Sequence, residues 1–228
     1  RHNLNRQHER VRIFELGRVY VSLAEQPMRL GGLVYGDALP EQWGAPSRRV
    51  DFFDLKGDLE RLFGQALDAR SGVHPVLHPG QCAELWADGR SIGWIGSLHP
   101  RLVQAFDLPA APVLFELDSL ALARRSLPRY AALSRFPQMQ RDLAFVLDVH
   151  TPAGELLAAL HEAAADWVRS IEVFDDYRGK GVAENQKSLA IRVVMQDTER
   201  TLTDQEVDDA VQKLVDAALR QCNASLRV

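Results

Sequence analysis

The stretch Val173-Phe174-Asp175-Asp176-Tyr177-Arg178-Gly179-Lys180-Gly181, followed by Lys187-Ser188-Leu189-Ala190-Ile191, constrains the fold more than any other part of this chain. Two closely spaced glycines interrupt any single regular element and mark a turn. Beyond the turn, residues 188–196 alternate, with Leu189, Ile191, Val193 and Met195 on one face, which is the period of a half-buried strand. Residues 170–177 form the strand before it. The prediction is a strand pair joined by a short basic turn, with carboxylates and an arginine on the same loop.

The surrounding sequence extends this unit. Leu143-Ala144-Phe145-Val146-Leu147 is a short apolar run of the buried-strand type. Thr151-Pro152 reads as an N-cap with proline at the first helical position. Leu156, Leu157, Leu160, Ala163, Ala164 and Trp167 then recur at helical spacing. Thr203-Asp204-Gln205-Glu206 is a capping box. It opens a helix whose stripe includes Val207, Ala210, Val211, Leu214 and Ala218. Residues 224–228 are expected as a last strand. The order β-α-β-β-α-β is the split-βαβ, ferredoxin-like plan. Both helices then cover one sheet face and leave the other open.

The first half predicts strands at 12–21, 30–35 and 113–117, and an amphipathic helix at 51–63 with acids in its first turn, where the helix dipole favours them. Asp88-Gly89 between 83–87 and 91–97 is a hairpin signal. This is an antiparallel sheet with helices packed on it, so the chain is α+β throughout. Arg124-Arg125-Ser126-Leu127-Pro128-Arg129-Tyr130 and Ser134-Arg135-Phe136-Pro137 read as an extended connector, because each proline pushes its predecessor out of the helical region. The expected domains are 1–133 and 134–228.

Composition narrows the function. The chain is 46% hydrophobic and 25% charged, with no apolar run near the roughly 20 residues a membrane helix needs. A start at Arg1-His2-Asn3, without methionine, is expected of a fragment of a longer polypeptide. Cys82 and Cys222 are too few for a disulfide framework or zinc site, which fits a reducing cytoplasm. The net charge of −4 argues against a generic polyanion binder. Residues 134–228 carry 11 Lys+Arg against 16 Asp+Glu, and residues 1–133 carry 16 against 15. Any polyanion contact in the second half must therefore be a local patch. His74, His78 and His99 each precede proline, and their spacing matches no established metal-ligand pattern. Asp51, Asp54 and Asp58 are better explained as an acidic helix start than as magnesium ligands.

From Ser134 onward the chain resembles the C-terminal anticodon-binding domain of the bacterial phenylalanyl-tRNA synthetase beta subunit. Residues 1–133 resemble the class II synthetase-like module of the same subunit. The matching phrases there are Phe14-Glu15-Leu16-Gly17-Arg18-Val19, Asp51-Phe52-Phe53-Asp54-Leu55-Lys56-Gly57 and Gly93-Trp94-Ile95-Gly96-Ser97-Leu98-His99-Pro100. The resemblance implies a module that has lost catalysis. The residues agree: the Arg-x-Glu that holds ATP phosphate in a working core is replaced by Arg12-Ile13-Phe14-Glu15, one residue too long, and no catalytic residue is expected. It also implies a catalytic alpha subunit as partner in a heterotetramer of two alpha and two beta chains. The whole enzyme would use ATP and Mg2+, with no cofactor or metal in this fragment.

The same resemblance assigns the RNA-binding residues. Asp175 would accept hydrogen bonds from the donor edge of the first anticodon base of tRNA(Phe), because a carboxylate only accepts and guanine offers two adjacent donors. Ser188 would add a polar contact. Arg178, Lys180 and Lys187 would hold backbone phosphates, with Arg135 and Arg141 extending the patch. Tyr177 or Phe174 would stack on a base. Asp175 as a turn cap and Phe174 as a core residue remain open alternatives. Two other classes compete. An RRM needs exposed aromatics on its third strand, and residues 188–196 carry none. A regulatory ferredoxin-like domain would bind a free amino acid.

Overall fold

A computed structural model describes residues 2–6, 8–122, 130 and 133–227. The chain divides into two compact units, Arg1–Pro128 and Arg129–Val228. The connector expected from Arg124 to Arg129 lies outside the described residues.

The first unit runs β1 (Val11–Arg18), β2 (Met28–Tyr35), α1 (Phe52–Phe63), β3 (Asp68–Ser71), β4 (Leu77–Ala87), β5 (Arg90–Leu98), α2 (Pro100–Ala105), β6 (Val113–Asp118) and α3 (Ser119–Leu122). Its six strands form one antiparallel sheet in the order β1-β2-β6-β5-β4-β3. Helix α1 starts where the acids predicted. The Asp51 side chain accepts from the backbone N–H of Phe53 and Asp54, and Asp54 accepts in return from the Asp51 N–H. Leu55, Leu59 and Phe63 then pack on Leu85, Ile95 and Leu117, all buried. Asp88 and Gly89 both take positive φ, 50° and 72°, as a two-residue hairpin turn requires. Asp54 accepts two hydrogen bonds from Arg48 and Asp58 pairs with Arg12, so arginines satisfy the acids considered for magnesium. Strand β3 and the short helices α2 and α3 have no counterpart in the sequence reading. They are only four to six residues long, too short for a periodic signal.

The second unit runs β7 (Met139–Asp148), α4 (Ala153–Ala163), β8 (Val168–Tyr177), β9 (Gln186–Met195), α5 (Asp204–Cys222) and β10 (Ser225–Leu226). This is the expected β-α-β-β-α-β order, with antiparallel neighbours β10-β7-β9-β8. Phe145, Ile191, Val193, Leu156, Leu160, Val207 and Leu214 form the core between the sheet and the two helices. The Thr203–Glu206 capping box is present. Two details differ from expectation. Pro152, not Thr151, occupies the cap of α4 and provides no side-chain bond, since its ring carries no polar group, while the Thr151 N–H closes a turn onto the Asp148 carbonyl. The last strand is shorter than 224–228. Asn223 ends α5 at φ 50° and the Ala224 N–H returns to the Ala218 carbonyl, which delays pairing until Ser225.

Candidate nucleic-acid interface

The register of β7 and β9 decides which side chains reach the helix-free face. Residues directly opposite share a face. Leu143–Ile191, Phe145–Leu189 and Leu147–Lys187 therefore point toward the helices. Ala144–Ala190 and Val146–Ser188 point away from them. On β8 a bulge between Val173 and Asp175 inserts Phe174, so that Asp175 falls opposite Ala190 and Tyr177 opposite Ser188. The bulge thus delivers Asp175 and Tyr177 to the open face together. Ala144, Val146, Ser188 and Ala190 make a low floor of small side chains beside them.

The rim is chemically mixed. Residues 174–181 are all exposed. The Asp175 carboxylate has no hydrogen-bond or ion-pair partner among the described residues. Phe174 is half-exposed, with the Arg192 guanidinium 4.8 Å from its ring centroid. Arg192 is held by two bonds to Asp142, at 2.9 and 2.8 Å. Phe174 is thus a surface aromatic, not a core residue. The Tyr177 hydroxyl donates to the Lys180 carbonyl at 3.2 Å, folding the ring back over the turn. Gly179 permits this, since a Cβ there would stand 2.7 Å from that hydroxyl. Gly181 serves differently, taking φ +91°.

Asp176 and Arg178 form a pair at 3.2 and 2.9 Å. The hydrogen bond to Arg178 holds the Asp176 carboxyl below its ordinary pKa, and the same bond raises that of Arg178. The charge on Asp176 is therefore already answered by a neighbouring cation. Lys180 presents its ammonium on the exposed turn with no partner among the described residues.

Of the expected patch residues, one is turned to the helix side and two lie at the far end of the sheet. Lys187 shares the helix-side face with Leu147 and is only 6% exposed. Burial pushes its ammonium pKa down, against the opposing pull of Asp176 and Asp148. It is not presented to solvent beside Lys180. Arg141 lies opposite Val193, six pairs along the ladder from Lys187, or about 20 Å. Its guanidinium is 4.0 Å from Asp208 of α5. Arg135 sits at that same far end, where Ser134 donates to the Asp197 carbonyl and Gln196 to that of Phe136. Neither extends the patch around Arg178. Ser188 does belong to the open face, but at 3% exposure it forms the floor rather than the rim.

One residue was missed. The Arg227 N–H donates to the Ala144 carbonyl, which places Arg227 beside Ala144 at the β10 edge. Its guanidinium lies 5.1 Å from the Tyr177 ring centroid, so the side chain crosses the floor toward β8. Sequence alone gave no signal, because its strand is two residues long.

Residues 1–119 match a family model described as the phenylalanyl tRNA synthetase beta chain CLM domain, and residues 134–227 match the ferredoxin-fold anticodon binding domain. The chain is 78% identical over its whole length to the phenylalanine–tRNA ligase beta subunit of Thiobacillus denitrificans, covering 29% of that protein. It is 49% identical to the same subunit of Dechloromonas aromatica, over 99% of the chain and 30% of the relative. For Chromobacterium violaceum the figures are 47%, 99% and 29%. The chain thus spans less than a third of the length of these relatives. On the strength of both domain matches, this chain belongs to the phenylalanyl-tRNA synthetase beta chain family.

Proposed function

We propose that the open face of the second unit binds the anticodon of tRNA(Phe), as part of an enzyme that joins phenylalanine to that RNA using ATP. The observation that carries this reading is the unpaired Asp175 carboxylate, raised by the β8 bulge beside a floor of small side chains. A splayed guanine fits such a place: two adjacent donors meet a group that only accepts. Tyr177 and Phe174 offer ring faces for neighbouring bases. Lys180, exposed on the turn, and Arg178, exposed and paired with Asp176, would meet phosphates, and Arg227 adds a planar cation over the floor. Ser188 contributes its hydroxyl from below.

The first unit acts as scaffold in this proposal. Phe14 and Leu16 of β1 and Phe53 of α1 are 77%, 54% and 75% exposed, an apolar cost that a catalytic alpha subunit would cover. An assembly of two alpha and two beta chains in the cytoplasm completes the picture. Among the described residues, His, Cys, Asp and Glu form no group of three or more suited to a metal ion.

Titrating the chain with anticodon stem-loops tests the reading. The cognate loop should bind more tightly than one with adenine as first base, by about 1–3 kcal/mol. Arg178→Ala should weaken both loops alike and lower the salt slope. Indistinguishable affinities for the two loops would end the proposal.

A further inference from the structure

The sheet of the first unit also has a face away from α1, and it carries a cavity of about 420 Å3. The register builds it. Glu15 pairs with Gly31, and Gly31 with Glu116, so two acids stand in one row across β1, β2 and β6 with a glycine between them. Trp94 of β5 continues the row. The neighbouring row on the same face is Ile13, Leu33 and Leu114. Gly31 leaves real space, since a Cβ there would meet only the Phe115 carbonyl, at 3.8 Å. His74 packs against Trp94 with ring centroids 5.4 Å apart. Its Nδ1 is the one buried side-chain nitrogen or oxygen without a hydrogen-bond partner among the described residues.

The charge is one-sided. Among the described residues no lysine or arginine lines the cavity, and neither Glu15 nor Glu116 has a side-chain partner. Two unanswered carboxylates, on residues two strand spacings or about 10 Å apart, repel ligands bearing carboxylate or phosphate. They attract a cation, and the indole face of Trp94 adds to that attraction. The remaining walls are apolar.

We propose that this cavity binds a small organic cation. Its primary ammonium sits over Gly31 between Glu15 and Glu116, and its aromatic or aliphatic body rests on Trp94, Leu33 and Leu114. Amines that lack a carboxylate fit, whereas amino acids and nucleotides do not. This inference is independent of the RNA face, which belongs to the other unit.

Calorimetric titration of the whole chain with phenethylamine, phenethyl alcohol and phenylalanine tests it. The amine should bind saturably at one site, with the alcohol and the amino acid at least about tenfold weaker. Glu116→Gln should weaken the amine about tenfold. Gly31→Val places a β-branched side chain in the gap at a strand position that tolerates one, and should abolish binding while leaving the melting transition in place. Should Gly31→Val not fold, Glu116→Gln and the alcohol decide the matter. No saturable heat with the amine, equal binding of the alcohol or of phenylalanine, or a folded Gly31→Val that binds like the parent would each overturn the proposal.

Discussion

At the scale of single residues, two neighbours on β9 show what alternation can and cannot tell. The pattern Leu189, Ile191, Val193, Met195 identifies the helix-side face, and by the same parity it places Lys187 on that face with them. A cation at the end of an apolar row is easily taken for a surface charge. The structure buries it beside Leu147, where desolvation lowers its pKa. Lys187→Met should therefore leave stem-loop affinity and its salt slope unchanged, and should not lower the melting temperature. A drop in salt slope on this substitution would return Lys187 to the phosphate-binding set. Asp175 stands out in the sequence as a candidate, but its aim does not. Strict alternation from Val173 would send it toward the helices, and only the Phe174 bulge, which has no reliable sequence signature, turns it outward.

Elements were read most easily where local chemistry and periodicity agree. Helices α1 and α5 each combine a capping box with an apolar stripe, and both appear where predicted. The turn between β8 and β9 was visible from its glycines, though the reason for Gly179 was not. A methyl at that position would displace the Tyr177 ring and its bond to Lys180. Gly179→Ala should thus weaken stem-loop binding severalfold with little change in melting temperature, because the displaced atoms are the far end of a movable side chain. Unaltered RNA binding would remove Tyr177 from the interface. The start of α1 carries a pH signature. The hydrogen bond from Arg48 holds Asp54 at about 2, against an ordinary value of 3.8. Since the folded pKa is depressed, its contribution is fully present above the ordinary value and is lost as pH falls toward about 2. Asp54→Asn should flatten the acid limb of the melting-temperature profile in that window. An identical acid limb in the variant would show that the Arg48 pair does not contribute.

At the scale of the whole molecule, charge and apolar surface are distributed unequally. The second unit is net negative, with five of the 16 acids of residues 134–228 on α5. Near the open face stand Lys180, on its exposed turn, and Arg227, over the floor, whereas Arg178 pairs with Asp176, which lies opposite the helix-side Leu189. Localised positive charge on an acidic domain favours a defined contact over generic polyanion binding. The first unit instead exposes Phe14, Leu16 and Phe53. Replacing Phe14 and Phe53 together with serine should weaken association with a catalytic alpha subunit, read by co-purification or sedimentation, without lowering the melting temperature of this chain. Unimpaired association would place the subunit contact elsewhere.

The proposed anticodon binding hangs on one polar contact, the Asp175 carboxylate against the donor edge of the first anticodon base. A double-mutant cycle measures it most directly, pairing Asp175→Ala with a stem-loop in which inosine replaces that guanine and so lacks the exocyclic amine. Removing either partner should cost about 1–3 kcal/mol, and removing both should cost little more than removing one. Strictly additive losses would mean that the two groups do not meet, and would contradict the assignment of this face to the anticodon.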